Sequence, residues 1–343
     1  MVEQKAFIPQ NPFRPHRLVR HTQAQTLLAR LSSKSIQSIQ QYEHPILLDG
    51  GQDMTGADPD NKVRLLGYYT SNSVADPSTK RGLVMTLHGW EGCSHSVYNL
   101  AITYALLQTG YDVLRLNLRD HGPGLHLNPY QLNRGIFMGT LLDEVITATQ
   151  KVAEMAGDKP FYIVGASMGG NFASRLAIAH RDRPIHNLRR VVAINPAIRP
   201  VNILNIFDSN FGYRHYFRTR WLNSLQAKQR AFPERYNFEP LLKIKSMQAM
   251  SEWLFDHYSD FNSADEYYEG YGVPYDGFAN LNVATTLITA ANDLIIPVDD
   301  FYKLTPHPLL KIDIHETGGH VGYVDVFPFQ HKLPSLVLET LNL

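Results

Sequence analysis

The sequence predicts an α/β protein with one mostly parallel central sheet, helices on both of its faces, and a helical insertion late in the chain. Three features of the sequence support this prediction. From residue 82 onward, short apolar runs typical of buried strands alternate with longer segments of helical periodicity. A Gly-x-Ser-x-Gly turn at 165–169 joins one predicted strand directly to the next helix. The alternation stops over 199–278 and then resumes, as an insertion into an open sheet would cause.

Two strands are predicted ahead of this alternation, at 43–48 and 62–69, where apolar and polar residues alternate as in an antiparallel pair. The loop between them is acidic and carries Asp49, Asp53, Asp58 and Asp60. The spacing of these residues does not match a calcium-binding EF-hand loop, and no bidentate glutamate follows. We therefore expect a solvated hairpin loop.

The remaining elements follow in the βαβ order of a parallel sheet. In chain order they are predicted as strand 83–87, helix 98–107, strand 112–118, helix 138–156, strand 161–164, helix 171–178, strand 190–194, strand 284–290, strand 309–314 and helix 336–341. We expect a single domain over 1–343 that contains a helical lid at 198–279. Such an insertion would cover the carboxyl ends of the strands, where open α/β sheets bind their ligands.

Ser167 is the predicted nucleophile because it lies in the sharp turn between a strand end and a helix start. Small residues on both sides let the backbone approach closely, and the turn exposes the hydroxyl above the sheet. This is the nucleophile elbow of an α/β-hydrolase. A serine at this position argues against dehalogenase or epoxide-hydrolase chemistry, which would place an aspartate there.

A serine hydroxyl needs an adjacent base and a third group that orients the base, and in this fold they follow in the order serine, acid, histidine. Of the 15 histidines, His320 has this order together with flanking glycines that allow a tight loop. Asp293 is the predicted acid because it lies in the turn after strand 284–290. Asp299 and Asp300 lie nearby and remain alternatives.

Two backbone N–H groups are needed to stabilise an acyl oxyanion. We expect the N–H of Met168, directly after the nucleophile, to be one of them. The N–H of Trp90, in the turn after strand 83–87, is the candidate for the other, and His88 is expected to brace that loop. Asp120, His121 and His126 invite a metal interpretation, but their spacing and the Pro and Gly of the segment favour a loop.

The composition of the chain limits the classes of partner and cofactor that we expect. The chain of 343 residues is 44% hydrophobic and has a formal net charge of zero, which gives no indication of nucleic acid or of an anionic membrane as partner. No phosphate-binding loop and no Gly-x-Gly-x-x-Gly turn is present, so no nucleotide cofactor is expected, and no metal.

The single cysteine, Cys93, fits a reducing compartment. The first residues lack the apolar core of a signal peptide, and no apolar run approaches membrane-spanning length, so a cytoplasmic protein is expected.

The chain resembles the YheT-like branch of the α/β-hydrolases and its mammalian relatives. The segments that carry the resemblance are LHGWEG at 87–92, GASMGGN at 165–171, ANDLIIP at 291–297 and GGHVG at 318–322, with weaker matches PFRP at 12–15 and QAQT at 23–26. The resemblance implies a serine hydrolase that acts on esters, with Ser167, Asp293 and His320 as its triad. The sequence departs from that branch at two places. Trp90 lies where a leucine is usual. After an arginine, Asp120 lies where a glycine is usual, and His121 lies where a small residue or a cysteine is usual.

The leading functional hypothesis is therefore a carboxylester hydrolase with a small-molecule ester as substrate. Acyl transfer to an alcohol or thiol would use the same acyl-enzyme, and a ligand-binding protein on this fold is the alternative from another class. The predicted lid is rich in aromatic residues, which favours an apolar acyl group; these are Phe207, Phe211, Tyr213, Tyr216, Phe217, Trp221, Trp253 and Phe255. The sequence leaves the oligomeric state open.

Overall fold

The computed structural model describes residues 7–58, 60, 62–72, 81–123 and 128–342. Within these residues, eight strands form one sheet in the spatial order 1-2-4-3-5-6-7-8. The strands are β1 (His44–Gly51), β2 (Val63–Thr70), β3 (Gly82–Leu87), β4 (Tyr111–Leu116), β5 (Phe161–Ala166), β6 (Leu188–Ile194), β7 (Ala284–Ala290) and β8 (Leu310–His315). Strand β2 is antiparallel to both of its neighbours, and the pairings from β4 to β8 are parallel. The predicted mostly parallel sheet is confirmed.

The helices that the structure describes lie between and beyond these strands. They are α1 (Thr22–Leu28), α2 (Lys34–Gln37), α3 (Val97–Gln108), α4 (Leu142–Met155), α5 (Met168–Ala179), α6 (Val201–Ser209), α7 (Phe211–Ala231), α8 (Met247–Tyr258), α9 (Ala264–Gly270), α10 (Asp299–Tyr302) and α11 (Leu333–Leu341). A short pair of strands, β9 (Val324–Asp325) and β10 (Gln330–His331), precedes α11. None of the described helices is long and apolar enough to span a membrane.

The central strands are buried on both faces, and their side chains divide into two cores. In β3, Leu83, Met85 and Leu87 point into one core, and Val84 points into the other. Helices α4 and α5 cover the first face, and α3 and α11 cover the second. Strands buried on both sides are expected to read as continuous apolar runs, which is why these strands could be located in the sequence. The predicted helices on both faces are confirmed.

The expectation of a solvated acidic hairpin loop is wrong at Asp53. Its carboxylate is buried and accepts a 2.8 Å hydrogen bond from Nη2 of Arg119, which also donates to Glu144 at 2.6 Å. The backbone N–H groups of Ala57 and Asp58 donate to the second oxygen of Asp53. Burial raises the pKa of Asp53, but the charge of Arg119 and the hydrogen bonds from Arg119 and Thr55 outweigh this effect and bring the pKa down to about 2. The loop is thus tied to the body of the protein.

Four helices, α6 to α9, occupy the insertion between β6 and β7, within the predicted span 198–279. The long helix α7 is attached to the loop after β4 through Lys228, which is buried. Nζ of Lys228 donates to Oδ1 of Asp120 at 2.8 Å and to the carbonyl of Asn133 at 2.6 Å. Burial lowers the pKa of Lys228, against the attraction of Asp120. Because this ion pair is almost fully buried, loss of either partner would leave an unpaired charge in the interior. The pair therefore fixes the position of α7 on the rest of the protein.

Candidate active site

Ser167 lies between β5 and α5 with φ 54° and ψ −116°, a backbone conformation that non-glycine residues rarely adopt. Such a conformation costs on the order of 1–3 kcal/mol. The neighbouring glycines make the turn sterically possible. A Cβ on Gly165 would lie 2.1 Å from the carbonyl oxygen of Gly169, and one on Gly169 would lie 2.3 Å from that of Leu87. The Gly-x-Ser-x-Gly pattern therefore follows from the close packing of β5, α5 and β3.

The structure brings Ser167, His320 and Asp293 into one hydrogen-bonded chain. Nε2 of His320 lies 3.0 Å from Oγ of Ser167, and Nδ1 of His320 lies 2.9 Å from Oδ2 of Asp293. When Nδ1 donates its proton to the carboxylate, Nε2 is left as an acceptor for the serine hydroxyl. His320 is in a loop after β8, and its backbone N–H donates to Oγ1 of Thr26 in α1. The order and spacing of the three side chains are those required for activating a serine.

Both carboxylate oxygens of Asp293 accept hydrogen bonds from the surrounding structure. Its side chain is fully buried. Oδ1 accepts the backbone N–H groups of Ile295 at 2.8 Å and Ile296 at 3.2 Å, and Oδ2 accepts Nδ2 of Asn195 at 2.7 Å in addition to His320. Asn195 follows β6 with φ 42° and was not recognised from the sequence. No local pattern marks it, because its partner is 98 residues away in the chain.

The two alternative acids do not contact His320. Asp300 is buried and accepts hydrogen bonds from Nδ2 of Asn202 and from the hydroxyl of Tyr275. Asp299 is exposed at the start of α10. Of the three aspartates considered in the sequence, Asp293 is the one that the structure places beside His320.

The two predicted oxyanion donors lie at the cavity that contains the candidate nucleophile. Met168 is the first residue of α5, and Trp90 lies in the loop after β3. Both line the same cavity as Ser167. In the part of the chain that the structure describes, neither backbone N–H has a hydrogen-bond acceptor. The N–H of Met168 also lies at the positive end of the α5 dipole, which favours a developing negative charge.

Two histidines hold the loop that carries Trp90. Nδ1 of the fully buried His88 donates to the carbonyl of Gly89 at 2.8 Å, and Nε2 accepts the N–H of Leu118 at 3.0 Å. Burial, helped by the neighbouring His121, lowers the pKa of His88 to about 3, so its ring stays neutral. This is the bracing position expected for His88 from the sequence.

The sequence does not predict the structural role of His121. Its Nδ1 donates to the carbonyl of Arg119 at 2.6 Å, and its Nε2 accepts the N–H of Glu91 at 3.3 Å. Both ring nitrogens therefore bind backbone groups. His126, the other histidine in the metal interpretation, lies outside the described residues, and the described residues contain no cluster of three metal-ligand side chains.

Ser167 and His320 open into a cavity of about 710 Å³. Of the eight aromatic residues named from the sequence, six line it: Phe207, Tyr213, Tyr216, Phe217, Trp221 and Phe255. Trp90 stacks on Phe217 with ring centroids 5.6 Å apart and planes 6° apart. The other two, Phe211 and Trp253, lie elsewhere; Phe211 is 73% exposed, and Trp253 stacks on His257.

Another part of the cavity wall comes from a segment for which the sequence predicted no element. Thr26 and Leu27 of α1, together with Arg30 just after it, line the cavity next to the His320 loop. The side-chain amide of Gln25 holds this segment in place. It donates to the carbonyl of Val324 at 2.9 Å and accepts the N–H of the same residue at 2.8 Å. The segment before the first strand is thus part of the candidate site.

Residues 82–310 match the family described as the alpha/beta hydrolase fold. Among solved structures, the esterase Pf2001 of Pyrococcus furiosus has a TM-score of 0.52 at 17% identity, over 91% of this chain and 97% of its own. A serine hydrolase from Cycloclasticus zankles has a TM-score of 0.50 at 14% identity, over 87% and 96%. No curated protein matches the sequence. At these identities the structural likeness is one of fold. Because the family match spans more than half of the chain, the protein belongs to the α/β-hydrolase fold family.

Proposed function

We propose that the protein is a serine hydrolase that cleaves carboxylic esters through an acyl-enzyme on Ser167. The observation that carries the proposal is the chain of hydrogen bonds from Asp293 through His320 to Ser167, at the floor of a cavity large enough for a small-molecule ester. In this proposal His320 is the general base and Asp293 the acid that orients it. The family membership is consistent with this chemistry but does not specify it.

Each step of the proposed reaction uses a group at the site. Oγ of Ser167 attacks the ester carbonyl carbon while Nε2 of His320 takes its proton. The N–H groups of Met168 and Trp90 stabilise the negative oxygen of the tetrahedral intermediate. His320 then protonates the departing alcohol, and the acyl group remains on Ser167. A water molecule, deprotonated by His320, releases the acid and restores the serine.

The lining of the cavity supports an apolar acyl group as the substrate moiety that it holds. Trp90, Phe217 and Trp221 form a contiguous aromatic wall. Tyr267 also faces the cavity, and burial raises its pKa to about 12, so it adds no charge there. Membership of the YheT-like branch and a cytoplasmic location remain proposals that rest on the sequence.

The proposal is tested by labelling and kinetics on matched serine variants. A fluorophosphonate probe should label the wild-type protein on Ser167, and Ser167→Ala should lose labelling and reduce the hydrolysis of a chromogenic ester by several orders of magnitude. Ser224→Ala is the control, because Ser224 lines the same cavity without contacting His320. Labelling on another serine, or full activity in Ser167→Ala, would refute the proposal. Transfer of the acyl group to an added alcohol in preference to water would identify an acyltransferase.

A further inference from the structure

The entrance of the cavity carries two arginines from distant parts of the chain. Arg30 follows α1, and Arg220 lies on α7 of the insertion; both line the cavity and both are exposed. Their guanidinium carbons lie over the ring of Tyr216, at 4.5 Å and 5.6 Å from its centroid. The cation–π contacts with this ring hold the two guanidinium groups near each other, and the ring does not neutralise their positive charges.

Neither guanidinium has a carboxylate partner among the residues that the structure describes. Arg30 forms no side-chain hydrogen bond there, and Arg220 donates only to the backbone carbonyl of Glu91. The carboxylate of Glu91 accepts from Ser224 instead, at 2.6 Å. By contrast, the buried Arg115 and Arg119 pair directly with carboxylates. Two guanidinium groups that form no ion pair with a carboxylate of the described residues therefore lie beside the same ring at the cavity entrance.

We propose that Arg30 and Arg220 form a binding site for an anionic group of the substrate, a carboxylate or a phosphate. Guanidinium groups bind both anions through paired N–H donors, and an anion bound near both groups would also relieve their mutual repulsion. The apolar wall at Trp90 and Phe217 would hold the hydrocarbon part of the same molecule. The preferred substrates are then amphiphilic esters with a negative charge away from the ester bond. This inference rests on the proposed function, since it assigns a substrate class to the same cavity.

Binding can be measured without turnover in the Ser167→Ala protein. The probes are octanoate, octyl phosphate and 1-octanol, which share one hydrocarbon chain and differ in charge. Trp90 and Trp221 line the cavity, so intrinsic tryptophan fluorescence reports occupancy. Adding Arg30→Gln should raise the Kd of octanoate and octyl phosphate by roughly 1.5-fold to fivefold, the range expected for exposed charge pairs. The Kd of 1-octanol should not change.

The control is Arg230→Gln, which removes an exposed arginine from the same helix, α7, at a position that does not line the cavity. It should leave all three Kd values unchanged, and the preference for the anionic probes should weaken as salt is added. A loss for octyl phosphate alone, or for octanoate alone, in Arg30→Gln identifies which anion the site takes.

The proposal is wrong if 1-octanol binds as tightly as both anions, if Arg30→Gln leaves the preference intact, or if none of the probes binds. Any anion preference that survives the replacement of both Arg30 and Arg220 by glutamine belongs to the oxyanion donors near Ser167. Because these measurements use a variant without the nucleophile, they decide the anion site even if the wild-type protein hydrolyses no ester. Conversely, esterase activity without anion preference would leave the proposed function standing and remove only the site.

Discussion

Replacing Asp293 with asparagine should disable His320 while leaving the protein folded. In the native structure Oδ1 of Asp293 accepts two backbone N–H groups, so an asparagine must keep its oxygen on that side. Its NH2 group then faces Nδ1 of His320 and Nδ2 of Asn195, both of which are donors in the native structure. His320 can accept from this NH2 only by moving its own proton to Nε2, which then faces Ser167 as a donor and cannot take the hydroxyl proton.

The expected loss in kcat is about 10⁴-fold, the size of effect that a wrong histidine tautomer has produced in another serine hydrolase. The assay is steady-state hydrolysis of a 4-nitrophenyl ester, with circular dichroism to verify the fold and KM expected to change little. Asp299→Asn and Asp300→Asn are the matched controls, since neither aspartate contacts His320. A nearly silent Asp293→Asn combined with a crippled Asp299→Asn or Asp300→Asn would show that the acid is misassigned.

Two further outcomes follow from the cavity and from the buried loop aspartate. Because each buried methylene contributes about 0.8 kcal/mol at best, kcat/KM should rise up to about fifteenfold from acetyl to butyryl 4-nitrophenyl esters, and continue to rise until the cavity is full; a flat or falling series would contradict an apolar acyl pocket. The pKa of Asp53 is about 2 in the folded protein against an ordinary value of 3.8, so its contribution of about 2 kcal/mol is fully present above pH 3.8 and is lost as the pH falls through 2. Asp53→Asn should therefore lower the free energy of unfolding in urea by about 2 kcal/mol at pH 7 and by less at pH 3, and an equal loss at both pH values would rule this pairing out.

The features that could be predicted from the sequence are those that depend on local patterns of residues. The strand before Ser167 is apolar throughout because both of its faces are buried, and the glycines around the serine are required by the close approach of neighbouring backbone. His320 could be singled out because chain order and flanking glycines restrict the candidates. These patterns located the sheet, the insertion and the three side chains that the structure brings together.

The features that the sequence missed depend on pairing between distant residues. Asp53 reads as one more polar loop residue, and only the fold places Arg119 against it. The structural roles of Asn195 and His121 could not be predicted for the same reason, since their partners are fixed by how the strands assemble rather than by spacing. Helix α1 has only seven residues, too few for a periodic pattern to be recognised before the contacts that stabilise it are known.

The position of α1 also bears on where the catalytic unit of this protein begins and ends. The span that matches the family, 82–310, contains Ser167 and Asp293 but neither His320 nor the helix that holds its loop. Gln25 joins that helix to β9, so segments from opposite ends of the described chain meet directly beside the candidate base. A fragment limited to residues 82–310 would keep the proposed nucleophile, Ser167, and lose the proposed base, His320.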